Sequence, residues 1–140
     1  MADMVGSSIS EIEVLEKGNP ELSRNKINIT AAAFYVLIER KDLTLFSKLM
    51  SPDLRIYKNN EVWDYDETLN YLEELNSKYE KVRFLPFEMI LTSGNFVTVK
   101  FTEKMYPKDG SVLAEKFISI FEVKDSKIHN IWELAVPEEL

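Results

Sequence analysis

The sequence predicts one α+β domain in which a strongly curved, cone-shaped antiparallel sheet wraps around N-terminal helices. Three observations predict it. The chain has 140 residues, enough for one hydrophobic core and too few for two. Apolar residues in the first half recur at three- and four-residue steps. In the second half the period changes to two, and runs of alternating residues are joined by short polar turns. Helices first and a meander afterwards is an α+β order.

Met1 to Ser10 is small and polar, without a period, and reads as a flexible leader. Residues 11–28 form an extension; Ile12, Val14 and Leu15 predict a short helix there, ended by Gly18-Asn19-Pro20. The domain proper is expected over residues 29–137. Phe34, Leu37, Ile38, Leu45, Phe46 and Leu49 give Thr30 to Met50 a half-buried helical pattern with a break at Lys41-Asp42. Leu54–Tyr57 and Glu61–Trp63 flank the turn-like Lys58-Asn59-Asn60 and read as a small hairpin. Asp64 and Glu67 have capping-box spacing before a helix expected over Asp66 to Lys78. Strands are expected over Val82–Thr92, Phe96–Tyr106, Val112–Lys124 and Lys127–Val136, joined at Ser93-Gly94-Asn95, Lys108-Asp109-Gly110 and Lys124-Asp125-Ser126.

Composition narrows the function. Hydrophobic residues make up 45% and charged residues 29%, which excludes a mostly disordered chain. The net charge is −7 and the pI about 4.8, with lysines scattered among acids, so neither nucleic acid nor an anionic membrane is expected as a partner. No apolar stretch approaches the roughly 20 residues of a membrane span, and a cytoplasmic location is the default expectation. Without cysteine there is no disulfide, thiolate zinc site or cysteine nucleophile. His129 is the one histidine, expected near a turn and exposed, so a multi-histidine metal site is excluded. No phosphate-binding glycine loop or nucleophile elbow is present, and no cofactor is expected.

Ala33-Phe34-Tyr35, Lys41-Asp42-Leu43 and Ser51-Pro52-Asp53-Leu54, in that order, resemble the opening helix and first strand of SnoaL-like proteins in the nuclear transport factor 2-like superfamily. The run Ile118 to Ile128 and the closing Ile131-Trp132-Glu133-Leu134 resemble that family's last two strands, which usually end in a His-Trp-Asp-like triplet. The resemblance spans about Thr30 to Val136. It implies a conical cavity between sheet and helices. The family contains ketosteroid isomerase, polyketide cyclases, limonene epoxide hydrolase and scytalone dehydratase, as well as non-catalytic transport and association domains.

The candidate site follows from facing and from the resemblance. Alternation puts Val97, Val99, Phe101, Glu103 and Met105 on one face, so Glu103 is an acid on an apolar face and a candidate general acid or base. Its structural alternative is a rim position, satisfied by solvent or Lys116. In the last strand, alternation alone buries Ile128, Trp132 and Leu134. The resemblance instead turns Ile131 and Glu133 inward, with Glu133 at the acidic position and Ile131 replacing the histidine. A structural role for Glu133 would pair it with a lysine or a tyrosine such as Tyr35 or Tyr57. Tyr35 joins Glu133 and Glu103 as a candidate proton-transfer residue. The ligand is expected to be a small apolar or aromatic molecule, contacted by Phe34, Ile38, Tyr57, Trp63 and Val99 and by Phe101, Phe117, Ser119, Phe121 and Ile131. Ketosteroid isomerase places an aspartate base just after the first strand; Tyr57 or Lys58 stands there, so steroid-type isomerisation is not expected.

Phe117 and Phe121 lie in one row of their strand and Ile118 and Ile120 in the other, so both faces require cover. A homodimer through the convex sheet face, using Ile118, Ile120 and Trp132, is expected. Two functions remain open. One is a small-molecule-binding protein with carboxylate-driven, cofactor-free isomerase, cyclase or hydrolase activity. The other is a non-catalytic homodimeric association or transport module.

Overall fold

The computed structural model describes residues 14–15 and 20–136, with side chains from residue 24 onward. The expected leader over residues 1–10 lies outside them. Strand β1 (Val14–Leu15) precedes α1 (Pro20–Phe34), which continues as one π-helical turn (Tyr35–Glu39). A 3₁₀ turn (Leu43–Leu45) and the short α2 (Phe46–Leu49) follow. Then come β2 (Met50–Lys58), β3 (Glu61–Trp63) and α3 (Tyr65–Lys78). The rest is strand: β4 (Tyr79–Phe84), β5 (Met89–Ser93), β6 (Phe96–Pro107), β7 (Leu113–Lys124) and β8 (Lys127–Val136).

Proline opens α1, where its missing N–H costs nothing and its fixed φ suits the first turn. The helix runs through residue 29, so residues 20–28 are continuous with the core helix. Its inner face carries Ile27, Thr30, Ala31, Phe34 and Leu37, all buried, with small alanines letting the helix approach the sheet. Lys41, at φ 58°, breaks the helical path, and its ammonium donates to the carbonyls of Asn76 (2.9 Å) and Tyr79 (2.8 Å) at the end of α3. The Asp64–Glu67 capping box is formed in both directions, at 2.9 and 3.2 Å.

The sheet runs β1-β5-β6-β7-β8-β2-β3, with β4 also paired to β6. It is mostly antiparallel but mixed, because β2 runs parallel to β8 and β1 parallel to β5. Val14 and Leu15, expected as part of a helix, instead pair with Ile90 and Leu91 and cover an otherwise open strand edge. The single strand expected over Val82–Thr92 is two. Pro86 cannot donate to a ladder, so the chain bulges at Leu85–Glu88 while β4 and β5 occupy successive stretches of the same edge of β6. The hairpin at Asn59 and Asn60 is closed by two positive φ angles, 50° and 66°, the geometry that two-residue turns favour.

Phe34 is the hub of the core. Its ring meets Phe101 at 4.7 Å, Phe84 at 4.8 Å, Phe87 at 5.4 Å and Phe121 at 5.5 Å, all edge-on. These rings close one end of the concave side, and the other end stays open. No helix among the described residues is long and apolar enough to cross a membrane.

Candidate functional site

Two adjoining cavities occupy the open end. The inner one, of about 100 Å³, is mostly apolar and lined by α1 and its π-helical turn, α3, β2, β3, β7 and β8, including Phe34, Ile38, Trp63, Ser119, Phe121 and Ile131. The outer one, of about 270 Å³, is polar and lined by Asn59, Tyr79, Glu103, Met105, Glu115, Phe117 and Ala135. Each is far roomier than the 10–15 Å³ or so that one water needs. Lys58, Tyr71 and Glu133 line both, so these three side chains form the seam.

The backbone register makes this seam. Lys58 at the end of β2 lies beside Glu133 in the parallel β2–β8 pair, and Glu133 lies opposite Ser119 in β7. Glu133 faces inward because β8 carries a bulge. Glu122 pairs with Asn130 and Val123 with Ile128, leaving His129 as the extra residue. Before the bulge, alternation buries Ile128; after it, Ile131 is buried and Glu133 faces the cavity. The row expected from alternation alone is therefore corrected at its far end, where Trp132 faces the convex side and Leu134 is 63% exposed. His129 itself bridges, with Nδ1 3.0 Å from Asp53 Oδ1 and Nε2 3.1 Å from the Lys124 carbonyl.

The Lys58 ammonium is 3.7 Å from Glu133 Oε1 and sits among the rings of Tyr71, Phe117 and Trp63, at 5.7, 5.8 and 6.0 Å from their centres. Burial raises the Glu133 carboxyl above its ordinary value, and the Lys58 charge opposes that rise. Glu103 is raised to about 7, through burial first and then the charge of Glu133. Burial, and after it the charges of Glu103, Glu133 and Glu115, push the Tyr71 hydroxyl up to about 12, so it remains a proton donor at neutral pH. Two neighbouring acids are thus both held above the ordinary carboxyl range, each by burial first.

The remaining expected residues fall elsewhere. Tyr35 packs against Phe84 and Phe87 and lines neither cavity. Tyr57 lies on the opposite face, stacked on Trp132 at 5.4 Å, because alternation along β2 turns Ile56 and Lys58 inward. Val99 and Phe101 are buried beneath the cavities as packing. Lys116 pairs with Glu88 at 3.0 Å, leaving Glu103 to the cavity. Lys58 and Tyr71 are the seam residues that sequence reasoning missed. Continuing the period of Leu54 and Ile56 reaches Lys58, and Thr68, Tyr71, Leu72 and Leu75 share one helix face. Among the described residues no cluster of three or more His, Asp or Glu side chains is placed to hold a metal ion.

Neither a family model nor a curated protein matches the sequence. Solved structures do match. A nuclear transport factor 2-like protein from Anabaena variabilis superposes with a TM-score of 0.74 at 9% identity, over 87% of this chain and 96% of its own. A candidate polyketide cyclase from Bacillus cereus gives 0.72 at 14% identity, over 89% and 83%. A candidate hydroxylase from Streptomyces galilaeus gives 0.65 at 16% identity, over 83% and 89%. Identities this low establish architecture, and the activities ascribed to these proteins differ from one another. The chain has the fold of the SnoaL-like and nuclear transport factor 2-like proteins.

Proposed function

We propose that this protein binds a small, largely apolar molecule in the two-part cavity and moves a proton on it with Glu133, Lys58 and Glu103. The observation that carries the reading is the seam, where a desolvated carboxylate and an ammonium 3.7 Å apart line both an apolar and a polar cavity. A carboxylate there takes a proton from carbon beside a carbonyl. The neighbouring ammonium stabilises the negative charge that develops on oxygen, and a protonated Glu103 returns a proton on the far side. Isomerisation, cyclisation and hydration chemistry all use this division. The candidate polyketide cyclase that shares the fold is consistent with such a use.

A Glu133→Gln variant tests it, since glutamine keeps the shape and removes the base. With a ligand found by screening against the cavity, proton exchange or turnover should fall by about 10²–10⁴-fold while affinity stays within a few-fold. Equal loss of binding and turnover would reduce Glu133 to a binding group.

We further propose that a second copy of the chain covers the convex sheet face. Trp132, stacked on Tyr57, lies there with Ile118, Ile120, Leu134 and the 41% exposed Phe96, an apolar surface of the kind that marks interfaces.

A further inference from the structure

The two cavities differ in kind and meet only along Lys58, Tyr71 and Glu133. Away from the seam the inner wall is mostly hydrocarbon, with Leu37, Met50, Ile56 and Leu72 among its residues and Thr68 and Ser119 as its hydroxyls. A charged or strongly hydrated group placed there would lose its water and find few partners in return. In the outer cavity Glu103, Glu115 and Glu133 face one ammonium, that of Lys58, and above about pH 7 Glu103 too is ionised. Glu103 and Glu115 are direct cross-strand partners, where like charges repel each other. An anionic group entering there would gain Lys58, already held by Glu133 and three rings, and would meet all three acids. Tyr71, Tyr79 and Phe117 add aromatic surface that favours a cation or a neutral polar group.

Resting on the proton-transfer reading above, we infer that the ligand is amphipathic and lies across the seam. Its apolar ring fills the inner cavity and a non-anionic polar end, a hydroxyl or an amine, fills the outer one. The carbon joining the two parts then passes between Glu133 and Lys58, so in a substrate the proton exchanged is the one on that carbon, acidified by an adjoining carbonyl whose oxygen meets Lys58. A ligand reversed in the site would put its polar end among Leu37, Met50 and Leu72 and lose its hydrogen bonds.

Three probes of matched shape decide the matter: 2-phenylethanol, 2-phenylethylamine and 3-phenylpropionate, titrated into the full chain at about pH 8 and followed by amide NMR. The alcohol and the amine should shift the amides of Ser119, Ile131 and Glu133, and the carboxylate should bind at least about tenfold more weakly. In a Glu103→Gln, Glu115→Gln double variant the gap between amine and carboxylate should close. If that variant does not fold, the wild-type series decides alone. A carboxylate that binds as tightly as the amine overturns the charge selection. Probes that leave those amides unmoved overturn the amphipathic ligand. Neither outcome touches the Glu133→Gln test, which reads turnover against affinity.

Discussion

Burial and the neighbouring Glu133 push the Glu103 carboxyl up to about 7 from an ordinary 4.5, and the consequence for stability has a definite sign. The folded chain holds this proton to higher pH than the unfolded chain does. Glu103 therefore contributes fully below about pH 4.5, and its contribution is lost as pH rises towards about 7. Glu103→Gln should stabilise the protein by about 3 kcal/mol at about pH 8 and by nothing below about pH 4.5, as urea denaturation at the two pH values would measure. Lys58 acts in the other direction on Glu133. Replacing it with methionine removes the charge that opposes the burial effect, so the Glu133 carboxyl should titrate higher than in the wild type, visible in its side-chain carbon signal. Glu103 was legible from alternation because β6 runs unbroken through it. Lys58 was masked by standing next to two asparagines, where a lysine reads as turn.

Elements set where those residues stand. The capping box fixes the start of α3, which carries Tyr71 to the seam. Asp64→Ala should cost about 1 kcal/mol in chemical denaturation, with little effect on the Glu133 titration because the first turn frays locally. Asn60, at φ 66°, closes the hairpin two residues beyond Lys58. Asn60→Val should cost about 1–2 kcal/mol and, unlike the cap variant, also shift the Glu133 titration by displacing Lys58. The capping box and this turn were readable because each is local chemistry. The bulge at His129 and the division of Val82–Thr92 were not, since both are settled by register against strands distant in sequence: β7 fixes the first and β6 the second. The π-helical turn at Tyr35–Glu39 has the same cause. Glu39 accepts the Phe84 N–H at 2.8 Å, a contact 45 residues away along the chain.

At the scale of the whole molecule, the curved sheet was legible from the change of period, and the cavity was not. Its seam depends on a parallel pairing between the first long strand and the last, which no local pattern announces. The same sheet presents its apolar convex face. Ile120→Glu there should convert a dimer into a monomer in analytical ultracentrifugation without changing the cavity, and a wild-type chain that sediments as a monomer at all concentrations would contradict the proposed pairing. The account as a whole stands on two half-buried acids, Glu133 in the seam and Glu103 in the outer cavity, both held above the ordinary carboxyl range. Side-chain carbon NMR titration of Glu103 and Glu133 measures this directly. It should show Glu103 titrating near 7 and Glu133 above its ordinary 4.5, with Glu133 rising further in Lys58→Met. Both acids titrating at 4.5 would contradict it, for the pair would then be solvated surface carboxylates with no proton to exchange at neutral pH.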